Sequence, residues 1–478
     1  MNKCLTNPFS YHLFVLLFSL IVTDPLTTLR LRAAEKSIKI GIAEMEITPE
    51  PKKDRPVYMA GFGHNRTATG ILDPLFVRTL VLDDGEKKVA LVSLDVIGYF
   101  YTEVQKIRSQ LPKFDYILVS STHNHEGPDT LGLWGKTPFS SGVDTSYLEK
   151  VNRRIIQTIQ TAEKKTTSAD VQIGKLRIPE LVHDSRLPIV KHDELITLFF
   201  KERSSGHPIA LLIQWNCHPE TLGSKNTKIS SDFVGATVRE ATRQLKCPTI
   251  YFTGTVGGLM SSLQVEIKDE NGNLLKGGPE EKTELYGKKI AQKAIESLKN
   301  SEPIELNPIK IKSDKILIPM QNKLYQLGWK LGVLNRKAYL WNNDKNGKRE
   351  LAKNLDKPIA IETEVGFLSL GELEIAIIPG EIYPELVLDK VENPTIPGAD
   401  YPDAPIEPAI YKQLKSKHRM LIGLGNDEIG YIIPKRQWDE NPPYCYGRKS
   451  SQYGEINSIG PDAAPHICKT WKELSNNK

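Results

Sequence analysis

The chain has 478 residues, 39% hydrophobic and 25% charged, with a formal net charge of +5 at pH 7. That is ordinary globular composition, long enough to bury a large core in one big domain or in two to three smaller ones. Lysine and arginine are scattered rather than clustered, so nothing supports a nucleic-acid-binding face.

Residues 1–34 stand apart from the rest. Lys3 precedes an apolar run, His12–Val22, which is followed by Thr23-Asp24-Pro25 and by Leu29-Arg30-Leu31-Arg32 before Ala33-Ala34. A positive start and a short apolar core have the form of a signal peptide, and the run is too short for a standard spanning helix. No small-x-small cleavage site follows directly, so a cleaved leader and an uncleaved membrane anchor both stay open. Either way the chain is expected to be exported: periplasmic, secreted or anchored, with association at a membrane surface compatible with this segment. Residues 35–478 then form the working domain. Five cysteines are present, Cys4, Cys217, Cys247, Cys445 and Cys468. Export permits disulfides, and Cys217 with Cys247 or Cys445 with Cys468 are the pairs to weigh. Their spacing matches neither a disulfide scaffold nor a Cys-x-x-Cys zinc site, so they read as structural.

Along the domain, Ile38–Ala43, Leu75–Leu82 and Lys88–Val96 read as strands, and Val104–Leu111 as a short helix. Tyr116–Ser120 is a short apolar, β-branched run, the mark of a buried strand. Tyr147–Ala162 carries a helical stripe of Leu148, Val151, Ile155, Ile156 and Ile159. Leu195–Phe200 and Ile209–Trp215 are strands, Ser231-Asp232 caps a helix reaching Leu245, and Thr249–Thr253 is another buried strand. The polar, glycine-rich Lys268–Glu281 reads as a loop before a helix over Thr283–Leu298, and Asn342–Arg349 as a second such insert. Strand Glu374–Ile378, a breaker at Pro379-Gly380, a short helix, a Pro-rich loop (Pro394–Pro408) and strand Met420–Leu424 complete the pattern. Mixed strands and helices with no long linker predict one α/β domain, with mixed sheets and flanking helices.

Chemistry gathers just past the strand ends. After Tyr116–Ser120 come His123-Asn124-His125 and the breaker Gly127-Pro128. If the strand persisted, His123 and His125 would point to one side, and paired neutral imidazoles suit a metal ion. Two ligands alone do not make a zinc site, and a hydrogen-bonded loop pair is the blander reading. Asn216-Cys217-His218-Pro219 follows another strand, Glu381 follows Ile375–Gly380, and Tyr431 lies beyond Met420–Leu424. Singly, these read as a turn histidine, a helix-capping carboxylate and a core aromatic. Together they place candidate ligands from distant parts of the chain outside the carboxyl ends of strands, where ligands gather in α/β sheets. Arg186, in Asp184–Pro188, offers a guanidinium for an anionic intermediate, against the default of a surface arginine. The glycine-rich Thr253–Ser262 either exposes Ser261 and backbone N–H groups or lets the chain pass close to another segment. There is no phosphate-binding loop, no Gly-x-Ser-x-Gly elbow and no His-Glu-x-x-His helix.

The order of motifs resembles that of a known family. Ile40–Pro49, Thr122-His123-Asn124-His125-Glu126-Gly127-Pro128, Asn216–Pro219, Pro379-Gly380-Glu381 and Gly430-Tyr431-Ile432 together resemble the neutral/alkaline non-lysosomal ceramidases, from about Ile38 to Pro461. Members of that family are zinc amidases that cleave the fatty-acyl amide of ceramide. The resemblance implies Zn²⁺ held by His123, His218, Glu381 and Tyr431. It places His125 beside the metal as a proton-handling group and Arg186 as a substrate-binding residue. Tyr453-Gly454-Glu455 resembles the Tyr-Glu stretch that follows the tyrosine ligand. The family's catalytic serine lies in a Gly-Asp-x-Ser-Pro turn. Its counterpart here, Gly258-Leu259-Met260-Ser261-Ser262, keeps a serine and lacks the aspartate and proline. The function implied is metal-assisted hydrolysis of an N-acyl amide, with a lipid or small-molecule amide as substrate. Another amide or ester, or an exported binding protein that has lost catalysis, are the competing readings.

Overall fold

The computed structural model describes residues 37–51, 55–269 and 271–476, which form one compact unit. The leader read in residues 1–34 lies outside the described residues. Strand β1 (Lys39–Glu46) pairs antiparallel with β2 (Phe76–Asp83), and β2 with β3 (Lys88–Leu94). Helix α1 (Tyr101–Gln110) then returns the chain to β4 (Tyr116–Ser121), parallel to β3. Every residue of β4 is buried, as expected for an apolar run covered on both faces.

Helix α2 (Thr145–Lys164) starts on a true N-cap: the Asp144 carboxylate accepts from the backbone N–H groups of Ser146 and Tyr147. It buries Tyr147, Val151, Ile155 and Ile159 across β1 and β2. Strands β5 (Thr167–Arg177), β6 (Glu194–Glu202) and β7 (Pro208–Trp215) follow. Helix α3 (Asp232–Leu245), β8 (Thr249–Thr253), helix α4 (Pro279–Ser297) and β9 (Glu302–Pro303) complete this half. The nine strands form one mixed sheet in the order β8-β7-β6-β5-β1-β2-β3-β4, with β9 on β5. The cap expected from Ser231-Asp232 forms differently. The Ser231 hydroxyl donates to Asp73, the first helical N–H, of Asp232, donates to the Ser230 hydroxyl (2.9 Å), and the Asp232 carboxylate accepts from the next, of Phe233.

The second half contributes β10 (Ile309–Pro319), helix α5 (Lys323–Lys330), β11 (Ala338–Leu340), β12 (Ile359–Leu370) and β13 (Leu373–Ile377). The short strand β14 (Glu381–Ile382), helix α6 (Pro384–Leu388), β15 (His418–Ile422), β16 (Tyr431–Ile432) and helix α7 (Ala463–Asn476) follow. A five-stranded sheet runs β10-β12-β13-β15 with β11 on β12. Its β13 and β15 are parallel, and β14 pairs parallel with β16 as a separate ribbon.

The two large sheets share one core. Leu80, Leu118 and Leu212 of the first meet Leu368, Ile375 and Met420 of the second. Helices α1 to α4 cover the far face of the first sheet and α7 that of the second, giving layers of helix, sheet, sheet and helix. Glu364 of β12 ties the halves together. It accepts from both terminal nitrogens of Arg108 on α1 (2.8 and 2.9 Å), from the Tyr116 hydroxyl (2.8 Å) and from Asn426 (3.0 Å). The architecture is the α/β class with mixed sheets and flanking helices read from the sequence. Neither cysteine pair forms: Cys217, Cys247, Cys445 and Cys468 are buried free thiols. Among the described residues no helix is long and apolar enough to cross a membrane.

Candidate metal centre and its cavity

Strand β4 stops at Ser121, so alternation along a strand is not what brings the first histidines together. His123 takes a left-handed turn, φ +68°, and its ring meets that of His125 edge-on with centroids 5.0 Å apart. The loop is held from several sides. Asn124 donates its backbone N–H to Val96 (3.1 Å) and its side-chain amide to Ser230 (2.7 Å). Arg66 is paired with the buried Glu126 at 3.2 Å and donates to the carbonyl of His125. Gly61, at φ +93°, lies against the His125 ring, where any side chain would collide with it.

His218 leaves the end of β7 and forms a parallel bridge to Ser261, its N–H donating to Met260 at 2.9 Å. Glu381 opens β14, and Tyr431 opens β16 directly opposite. The glycine-rich turn before Ser261 serves close packing. A Cβ on Gly257 would strike the backbone of Ile382 and the ring of Tyr383, so this turn seats the segment that carries Glu381.

Four side chains converge from these elements. The Glu381 Oε2 lies 3.2 Å from His123 Nε2 and 2.9 Å from His218 Nε2, and the Tyr431 hydroxyl is 3.5 Å from His218 Nε2. His123 Nδ1 is 2.7 Å from the Ile97 carbonyl and His218 Nδ1 is 2.9 Å from that of Met260. An Nδ1–H donated to a carbonyl leaves the Nε2 lone pair free, the arrangement that orients metal-ligating histidines. A carboxylate facing two such nitrogens is satisfied by positive charge between them, either the ring protons or a metal ion. The spacings fit a metal ion: ligands about 2.0–2.1 Å from a tetrahedral metal stand roughly 3.3 Å from one another.

His125 differs. Both its ring nitrogens are buried without a hydrogen-bond partner, and Glu220 Oε2 lies 3.6 Å from Nδ1. Its candidate ligand atom and those of His123 and His218 all lie within 4.8 Å of one another, so this buried trio is also able to hold a metal ion. Burial, with His123 and His218 alongside, pushes the His125 pKa well below its ordinary value and keeps the ring neutral. Burial also opposes charge on His218, but Glu381 and Glu220 beside it win and raise its pKa. The Glu381 carboxyl would rise on burial alone, yet His123 and His218 hold it down to about 2.

Arg186 and Ser261 do not join the cluster. Arg186 is buried and forms a bidentate pair with Glu455 (2.7 and 2.8 Å), while donating to the carbonyls of Tyr453 (2.8 Å) and Gln437 (3.1 Å). The Ser261 hydroxyl donates to Glu220, whose other oxygen is the one near His125. Glu220 is therefore a site residue that the sequence reading passed over; its only signal was its place two residues after His218.

The cluster opens into a cavity of about 380 Å³. Phe100, Leu131, Trp134, Tyr325, Leu334 and Ile459 line it, and His123, His125, Glu381 and Tyr431 lie at its polar end. Glu428 also lines it, and burial with Glu381 nearby pushes its carboxyl well above the usual range.

No family model matches the chain. The structure is similar to that of the neutral ceramidase from Pseudomonas aeruginosa. The TM-score is 0.68 at 13% identity, over 92% of this chain and 74% of that one. A solved structure of a ceramidase complexed with C2 matches with a TM-score of 0.67 at 13% identity, over 92% of this chain and 75% of the other. At this identity the likeness is one of architecture: the chain has a neutral ceramidase-like fold.

Proposed function

We propose that this chain is a zinc-dependent hydrolase of the ceramidase type, cleaving the N-acyl amide of a lipid, with His123, His218, Glu381 and Tyr431 holding the metal. The observation that carries this reading is the meeting of two Nε2 atoms, one carboxylate and one phenol at the end of an apolar cavity. Nitrogen-rich ligation with one carboxylate favours zinc. When bound, zinc would supply an acidified water and polarise the amide carbonyl.

The protein's own groups divide the remaining work. His125, neutral and free at both ring nitrogens, takes a proton from the attacking water and delivers it to the departing amine, which must be protonated to leave. Glu220, 3.6 Å from Nδ1, stands ready to stabilise the imidazolium formed on the way, and Ser261 reaches the site through Glu220. Arg186, with its donors committed to Glu455, Tyr453 and Gln437, acts through the loop that sets Tyr453 on the cavity wall.

The apolar lining favours a fatty-acyl chain over a small polar amide or ester. Phe139, Leu324 and Ile456, 64%, 58% and 55% exposed, line its mouth and support uptake of substrate from a membrane surface. An exported location, carried by the leader motif, belongs to the same proposal. The test is release of fatty acid from a short-chain ceramide by the purified full chain. Cleavage that stops with chelator and returns with zinc is expected. Zinc-replete protein that leaves ceramide and other lipid amides intact would reject the reading.

A further inference from the structure

The wall of the cavity is largely apolar, and Glu428 stands in it as a carboxyl among a few other polar side chains, Arg336, Asn457 and His64. Glu428 is 6% exposed and lies three residues before Tyr431. Its Oε1 accepts from the backbone N–H of Gly430 at 2.6 Å, which fixes the carboxyl in place. Its Oε2 is buried and has no hydrogen-bond partner. The nearby Arg336 favours its charged form electrostatically but gives Oε2 no hydrogen bond. Arg336 donates to Asp427 Oδ2 (2.7 Å) and to the main-chain carbonyls of Glu428 (3.2 Å) and Glu362 (3.3 Å). A buried carboxyl oxygen left without a partner costs stability, and such a group set in a cavity wall calls for a ligand that completes it.

We propose that Glu428 is a specificity-determining residue, whose free Oε2 hydrogen-bonds a hydroxyl group carried by the substrate close to the scissile amide. This rests on the reading of the site as an amide hydrolase. A hydroxyl both donates and accepts, so it satisfies a carboxyl in either protonation state. An amide of the same shape without the hydroxyl leaves Oε2 orphaned, and a site built around a substrate hydroxyl rejects the analogue that lacks it.

The test compares N-dodecanoylethanolamine with N-dodecanoylpropylamine, which differ by a hydroxyl against a methyl group. Binding to the zinc-loaded full chain is measured by calorimetry with their ketone isosteres, in which a methylene replaces the amide nitrogen and nothing can be cleaved. Turnover is measured with the amides themselves. The hydroxylated ketone is expected to bind more than about tenfold tighter. Glu428→Leu should bring the ratio close to one, and Glu428→Gln should retain most of it. Equal binding by the wild-type protein, or no binding of either ketone, overturns the proposal whether or not the variants fold. A ratio unchanged in Glu428→Leu overturns it as well. Discriminating binding without turnover would sink the hydrolase reading and leave the role of Glu428 standing. Turnover of both amides with equal binding would do the reverse.

Discussion

Glu381 and Tyr431 are register partners in a two-residue parallel ribbon, each lying past the carboxyl end of one of the parallel strands β13 and β15. The Glu381 N–H donates to Gly430 and the Tyr383 N–H to Ile432, both at 3.1 Å, so the carboxylate and the phenol are fixed to one another by backbone. As metal ligands they should contribute unequally. Glu381→Gln removes the charged ligand and is expected to abolish tight zinc binding. Tyr431→Phe should weaken it by roughly 10–100-fold, the scale seen when groups around a metal are lost. Competition with a chromophoric chelator reads both, and equal affinities in the two variants would refute the assignment.

Ser261 and His125 are distinguished by what each touches. With its hydroxyl turned to Glu220, Ser261→Ala should lower kcat by less than about tenfold, the worth of one hydrogen bond. His125→Ala should lower it about 10²–10⁴-fold, the range of general acid–base catalysis. If serine were the nucleophile, its removal would cost at least as much as that of the histidine.

The pair Arg186–Glu455 is 2–3% exposed, and breaking it strands a buried charge. Arg186→Met is expected to cost about 3–5 kcal/mol of stability in denaturant titrations. Adding Glu455→Leu should recover part of that loss. A double variant whose loss equals the sum of the two single losses would show that the ion pair does not hold the Tyr453 loop.

Glu385 on α6 gives a pH dependence with a definite sign. Burial, with Asp184 close by, raises its carboxyl pKa to about 8 against an ordinary 4.5. The folded state therefore keeps a proton that the unfolded state loses first. The contribution is fully present below pH about 4.5 and is lost as pH rises toward 8. Glu385→Gln cannot ionise, so its Tm should exceed that of the wild type increasingly from pH 5 to pH 8. A Tm difference that stays constant over this window would contradict the assignment.

The candidate centre could be picked out because His123, His218, Glu381 and Tyr431 each lie beyond a run of buried apolar residues. Such runs stand out wherever a strand is covered on both faces. The strands β5 and β10 were not read, because part of each faces outward, and β12 was not read because Glu362, Thr363 and Glu364 interrupt its apolar run although nearly all of it is buried. In β10, Lys310 is exposed while Ile309 is buried, and polar residues interrupt the apolar run. Helix α7 was masked by Pro465, which sits in its first turn, where proline is tolerated. Glu220 carries only its place two residues after His218, and Glu428 no local signal at all. Their meaning lies in what the fold sets opposite them: His125 and Ser261 for one, the cavity for the other.

The most direct measurement is anomalous diffraction at the zinc absorption edge from crystals of the zinc-loaded full chain. One strong peak about 2.0–2.2 Å from His123 Nε2, His218 Nε2, Glu381 Oε2 and the Tyr431 hydroxyl is the expected result. A peak held by His123, His125 and His218 with Glu381 and Tyr431 outside bonding distance, or no peak at all, would contradict it.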